Sequence, residues 1–278
     1  MSHAKVRISR WRLSVISIAA AITVAVGYAS ISASGAQKPA LDLSNYTVSF
    51  NEDFANLDIS ATGPATRWIA HTPWNGDFGD AVFDNPGPGS AFSRGPNGLN
   101  ITAYKDSKGQ WHSGLLCSKS AKGVGPRGFA QEYGYFEMRA RLPAGHGVWP
   151  AFWLVSAGDT GAAPELDVIE FYGAFPASYR STEHLWKNNV DHLSRSHVVS
   201  VSRGILSSQF NNFGILIEPQ RTTYYFNRIP YWSTPTLPEF RQPMAVIVDL
   251  ALGGGWPIVG LTDPQVMQIQ YIKVYRKT

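Results

Sequence analysis

From Leu41 to the C-terminus, apolar and polar residues alternate in short runs, and no stretch keeps the 3.6-residue period of a helix of any length. The clearest run is Gly134 to Leu142. Tyr135, Glu137, Arg139 and Arg141 share one face there, and Phe136, Met138, Ala140 and Leu142 share the other. Comparable runs over 48–50, 99–104, 148–155, 213–217, 222–226, 245–250 and 267–275 predict further strands. Gly, Pro, Asn and Asp separate them. Asn227-Arg228 falls where a hairpin turn belongs. The stretch from Asp77 to Gly98, with Asn85-Pro-Gly-Pro-Gly-Ser90 inside it, reads as a loop. So many strands in about 235 residues predict an all-β domain of two antiparallel sheets packed face to face. No internal repeat appears, and no linker after residue 45 is long enough to divide the chain.

One run breaks the alternation. In Glu165-Leu-Asp-Val-Ile-Glu170, Glu165 and Asp167 point one way and Leu166 and Val168 the other. Strict alternation would then turn Glu170 into the hydrophobic layer, where an unpaired carboxylate costs several kcal/mol. One extra residue at Val168-Ile169, a β-bulge, returns Glu170 to the acidic face. The expectation is therefore a bulged strand with three acids in a row. Two carboxylates flanking a bond are the minimum equipment for glycoside hydrolysis, and a third tunes and orients its neighbours. The same spacing also describes an ordinary solvated strand face.

Charge and cysteine narrow the field. The formal net charge is +4. The basic excess lies in residues 1–36, which hold Lys5, Arg7, Arg10 and Arg12 and no acid. The remainder is balanced, which gives no ground for a polyanion partner such as nucleic acid. Leu13 to about Ala33 is apolar and uncharged and is followed by Ser34-Gly35-Ala36. That is the pattern of an export signal cleaved after Ala36, or of an uncleaved N-terminal membrane anchor, with residues 37–45 as a short linker. Either way the rest is expected outside the cytoplasm, secreted, periplasmic or held on the outer face of the inner membrane. Cys117 is the sole cysteine and sits in the apolar run Gly114-Leu-Leu-Cys-Ser118, so a buried structural thiol is expected and no disulfide within the chain. The histidines lack zinc spacing, and no catalytic metal is expected. Nine Trp and twelve Tyr supply flat faces on which sugar rings stack.

Several stretches in order resemble glycoside hydrolase family 16: Gly134-Tyr-Phe-Glu-Met-Arg-Ala-Arg-Leu-Pro143, Gly147-Val-Trp-Pro-Ala-Phe-Trp-Leu154, Glu165-Leu-Asp-Val-Ile-Glu170, Ala251-Leu-Gly-Gly-Gly-Trp-Pro257 and Met267-Gln-Ile-Gln-Tyr-Ile-Lys-Val-Tyr275. The two residues between Asp167 and Glu170 are similar to the laminarinase-like, bulged branch. The resemblance covers roughly residues 46–278 and implies one catalytic domain there. The implied fold is a concanavalin A-like β-jelly-roll sandwich of two curved antiparallel sheets, with the substrate cleft on the concave face. It implies retaining hydrolysis of a β-glycan, typically β-1,3- or mixed β-1,3/1,4-glucan; separately, a monomer is expected. Depolymerisation of a succinoglycan-like bacterial exopolysaccharide, transglycosylation and lectin-like binding are the alternatives.

By position the resemblance makes Glu165 the nucleophile, Asp167 its assistant and Glu170 the general acid/base. Glu165 must then start ionised and Glu170 protonated, a state that the negative charges of Glu165 and Asp167 favour. Trp149 and Trp153, four apart on one strand face, are expected as sugar-stacking walls. His184 and Trp186 are expected on the next strand of the cleft, Trp256 at the groove edge and Trp74 as a cap on a subsite. Many members carry an Asp in the last strand that helps bind a structural calcium. Gln270, a weaker ligand, stands there instead, so no cofactor is expected. The loops Asp77–Gly98 and Ala174–Leu206 resemble no single subgroup, and they set which polysaccharide fits.

Overall fold

A computed structural model describes residues 38–74, 76–158 and 161–278. The expected export signal or anchor lies outside the described residues.

Two sheets carry nearly everything. The first runs, from edge to edge, Ile229–Pro235, Arg221–Phe226, Asn211–Ile217, Gly134–Arg141, Gln265–Lys277, Gly98–Lys105, Trp111–Ser113 and Val82–Phe83. Tyr46–Glu52 also pairs with Gln265–Lys277, and Phe92–Gly95 with Gly98–Lys105. The second runs Val190–Ser200, Ser178–Lys187, Ala163–Glu170, Val148–Ser156, Met244–Leu252, Leu115–Cys117, Trp68–Ile69 and Ile59–Ser60, with Ala130–Gln131 also on Met244–Leu252. Pairing is antiparallel except where Ile59–Ser60 meets Trp68–Ile69 and Val82–Phe83 meets Trp111–Ser113. Helix among the described residues is one turn at Ile205–Ser208 and a 3-10 turn at Pro238–Phe240.

The alternation builds the core. Phe136, Met138, Ala140 and Leu142 of the first sheet meet Leu154, Leu166, Val246, Val248 and Leu250 of the second. The second sheet's other face carries a smaller apolar cluster with Ala151, Trp153, Ala245, Ile247 and Ala251. Cys117 is buried in that cluster, and burial pushes its thiol up to about 12, so it stays protonated.

The bulge is where parity requires it. Ala151 pairs with Glu170 and Phe152 with Ile169, but Trp153 pairs with Asp167, so Val168 is the extra residue. On the other side, Asp167 pairs with Thr182 and Glu170 with Arg180, three steps along the acid strand for two along its neighbour. Val168 and Ile169 both turn into the core, each 1% exposed, and Glu170 comes back to the face of Asp167.

Three regions depart from the sequence reading. The expected loop from Asp77 to Gly98 contains the short strands Val82–Phe83 and Phe92–Gly95. The expected loop from Ala174 to Leu206 is mostly a long hairpin, Ser178–Lys187 with Val190–Ser200, turned by Asn188 and Asn189 at φ 52° and 60°. Its outer strand is the sheet edge and is exposed along most of its length, so it needs no apolar alternation to announce it. Finally, the outer face of Gly134–Arg141 is covered over Tyr135 and Glu137, while Arg139 and Arg141 stay partly exposed. Tyr135, Leu216, Tyr225 and Tyr275 are buried there under Leu41, Leu43 and Tyr46. The Leu41 N–H donates to the Arg228 carbonyl at 2.8 Å, so the segment expected as a linker lies against this sheet. Beside it Glu137 is fully buried. It accepts two bonds from Arg228 at 2.8 Å and one from each of the Tyr135 and Tyr271 hydroxyls at 3.0 Å.

Candidate active site

The acids of Ala163–Glu170 stand on the second sheet's cleft face between two neighbouring strands. On one side Val148–Ser156 presents Trp149, Ala151 and Trp153. On the other, Ser178–Lys187 presents Arg180, Thr182, His184 and Trp186, because Tyr179, Ser181 and Glu183 turn inward. One row of the sheet reads Asp249, Ala151, Glu170, Arg180, Val198 across five strands.

Glu170 is held by three donors. The Tyr172 hydroxyl and the Trp149 indole N–H reach Oε1 at 2.8 and 3.2 Å, and the Thr182 hydroxyl reaches Oε2 at 3.3 Å. Trp149 stacks on Tyr172 with ring centroids 5.8 Å apart and planes 16° apart, so both donors belong to one aromatic wall. Gly254 makes room for that wall. It sits at φ 62°, and a Cβ there would stand 2.7 Å from Trp149 Cδ2 and 2.9 Å from Tyr172 Cε1.

Glu165 is half-buried, and its carboxyl is pushed up to about 7, chiefly by burial. The charge of His184 and the Trp186 indole N–H work against that rise, while Glu170 and Asp191 add to it. Among the described residues the Trp186 N–H has no hydrogen-bond partner of ordinary geometry. Its ring stacks on His184 at 5.3 Å. Asp167 is nearly fully buried and is driven well above the usual carboxylate range, by burial first and then by Glu165 and Glu170. His184 bridges the acids, with Nδ1 2.7 Å from Asp191 Oδ2 and Nε2 3.5 Å from Asp167 Oδ2. Ligand atoms of Glu165, Asp167 and His184 lie within 4.8 Å of one another, near enough to hold a cation, and near enough to share protons.

A fourth acid sits below. Asp249 is fully buried on the same face, accepting from the Trp153 N–H at 2.8 Å and the Ala251 N–H at 3.0 Å. Burial pushes it up to about 7 against the pull of those donors, and Glu170 adds a little. Its signal in the sequence was a single acid in Met244–Leu252, in phase with Ala245, Ile247 and Ala251 rather than with the core residues. Tyr172, Asp191 and Arg180 were likewise not foreseen. They stand just past or across from the acid strand, where only pairing register brings them in.

The cleft beside Glu170 has a volume of about 520 Å³. Trp256 and Phe175 stand at its rim, 38% and 46% exposed, packed edge to face at 4.8 Å. Trp74 is 47% exposed and lies 6.0 Å from Trp153. Trp153 itself is only 6% exposed. Its ring meets Trp74 and Phe78 rather than solvent, so what it presents to the site is its N–H to Asp249.

Residues 90–273 match the family described as Glycosyl hydrolases family 16. The chain belongs to that family. It is 32% identical over 259 residues to Endo-1,3-1,4-beta-glycanase EglC of Rhizobium meliloti (strain 1021), covering 85% of this chain and 53% of that protein. It is 33% identical over 258 residues to Endo-1,3-1,4-beta-glycanase ExsH of the same strain, covering 84% and 53%. The chain thus spans about half the length of these two relatives. In fold it is similar to the laminarinase catalytic domain from Thermotoga maritima MSB8, with a TM-score of 0.66, 21% identity, and coverage of 84% of this chain and 99% of that one.

Within this family 16 chain the place considered for a calcium ligand is otherwise engaged. Gln270 Oε1 accepts from Arg139 Nε at 2.7 Å. A guanidinium at that oxygen does not fit a bound calcium ion.

The position of His184 makes a measurable claim. Because its charge favours ionised Glu165, His184→Asn is expected to move the acid limb of kcat/KM to higher pH. The loss of activity is then larger at pH 6 than at pH 8. A pH–rate profile on a soluble β-glucan checks this, and a uniform loss at every pH would count against it.

Proposed function

We propose that this chain is an endo-acting, retaining β-glycosidase of β-1,3- or mixed β-1,3/1,4-glucan. The observation that carries the reading is the bulged strand, which keeps Glu165, Asp167 and Glu170 on one cleft face while Val168 and Ile169 anchor it in the core. In the first step the Glu165 carboxylate attacks the anomeric carbon and forms a glycosyl ester, while Glu170 gives its proton to the departing oxygen. In the second step Glu170 takes a proton from water, and the resulting hydroxide breaks the ester and frees Glu165. Asp167, packed between the two and near His184, buffers the shared protons. The names of the two Rhizobium meliloti relatives support the linkage class.

The test is a reducing-end assay on laminarin, lichenan, carboxymethylcellulose, agar, carrageenan and a succinoglycan-type exopolysaccharide. Products are followed by NMR for the first anomer released. Cleavage of laminarin or lichenan with retained configuration is expected. Cleavage of the exopolysaccharide alone would move the reading to the depolymerase. Binding without cleavage of any polymer would leave a lectin-like protein, and an inverted product would overturn the two-step mechanism.

A further inference from the structure

The strand next to the acids carries a cation that the reaction above does not use. Arg180 lines the cleft, is exposed, and stands in register directly across from Glu170. It nevertheless forms no ion pair among the described residues, and the Glu170 oxygens accept from Trp149, Tyr172 and Thr182 instead. Neighbouring basic groups on this part of the sheet are committed to acids, His184 to Asp191 and Asp167, and Arg195 to Glu183. Apart from Glu170, the cleft residues beside Arg180 on its own strand and the next are neutral and mostly short: Ser178, Ser194, Ser196 and Val198. These side chains give the guanidinium no counter-charge. Neutral sugars need hydroxyl partners and aromatic faces, which the cleft already has. An unpaired guanidinium fork in a concave site matches a planar oxyanion.

We propose that Arg180 binds a carboxylate on the sugar lying over Ser178–Lys187, so that the preferred substrate is an acidic β-glycan rather than a plain glucan. This rests on the hydrolase reading given above and names its substrate class. The balance of charge over the rest of the domain does not oppose it, since one acidic group per repeat is recognised locally.

The test uses the full chain at low ionic strength. Its probes are a carboxylated β-1,3/1,4-linked polymer, either uronate-bearing or carrying acidic acyl groups, and the same polymer after its carboxyls are reduced or removed. The expected ratio of kcat/KM, acidic over neutralised, is about tenfold or more. Arg180→Gln brings that ratio close to one, Arg180→Lys keeps part of it, and KM for the acidic polymer alone rises with added salt. The uronate and acyl arms separate the two sources of carboxylate, and a sulfated glucan tests whether any oxyanion suffices. A wild-type ratio at or below one overturns the proposal. So does an equal loss on both polymers in Arg180→Gln, which would assign Arg180 to hydroxyls common to both. Should neither polymer be cut, the hydrolase reading is what has failed. Calorimetry with Glu165→Gln then decides the present proposal, by whether acidic oligosaccharides bind about tenfold tighter than their reduced forms and lose that margin when Arg180→Gln is added.

Discussion

Glu165→Gln is expected to lower kcat/KM by roughly 10⁴-fold, about 5.4 kcal/mol of transition-state stabilisation. The amide cannot form the glycosyl ester. The fold should survive. The Glu165 carboxyl is raised by burial to about 7, so its contribution to stability is complete below its ordinary value near 4.5 and is lost as pH rises through about 7. A neutral amide removes that loss, and the melting temperature at pH 8 is expected to equal or exceed that of the wild type. Glu170→Gln should cost roughly 10²–10⁴-fold, the range of a lost general acid, and less on a substrate whose leaving group needs no proton. Reducing-end rates beside thermal melts check both. A Glu165→Gln enzyme within tenfold of wild type would remove the nucleophile from its role.

The second large effect is on stability and lies far from the cleft. Arg228→Ala is expected to cost about 3 kcal/mol, the low end for a broken buried pair because water reaches the arginine. In a domain of this size that lowers the melting temperature by roughly 6–12 °C. The reason is Glu137, which keeps two tyrosine hydroxyls but loses both guanidinium bonds and stays buried. Two companions separate causes. Arg228 holds φ 64°, so Arg228→Gly relaxes the turn while still losing the clamp, and should remain destabilised. Adding Glu137→Gln to Arg228→Ala removes the stranded charge and should recover part of the loss. An Arg228→Ala melt within a degree or two of wild type would show that the pair contributes little.

The acid strand was legible from its residues because two demands conflict there. A carboxylate at 170 cannot enter the core, and a strand cannot change parity without an extra residue. The hairpin turn at Asn227-Arg228 was legible for a local reason too, since both residues adopt the left-handed conformation that such turns need, at φ 49° and 64°. What stayed hidden depends on partners distant in sequence. Alternation put Glu137 on one face with Tyr135, Arg139 and Arg141, and only the cover from Leu41, Leu43 and Tyr46 and the reach of Arg228 make it a buried anchor. Val190–Ser200 read as loop because its apolar residues keep no phase: Val190 and Val198 are exposed, while the half-buried positions are Asp191, Leu193, Arg195 and His197. Asp249 and Arg180 enter the site through register: Ala151 lies between Asp249 and Glu170, and Arg180 lies beyond Glu170. Trp153 was placed on the correct strand face, but alternation cannot tell an open ring from one roofed by Trp74 and Phe78.

The extra residue at Val168 leaves the reach of the strand unchanged, because three steps on it match two on each neighbour. Deleting Ile169 would leave Glu165-Leu-Asp-Val-Glu, in which plain alternation already keeps all three acids aligned, with the last still across from Ala151 and Arg180. A single codon therefore separates two versions of this ribbon that present the same acids on the same rows. They differ underneath: the bulged version roots the trio with two apolar side chains, Val168 and Ile169, where the plain one has a single root.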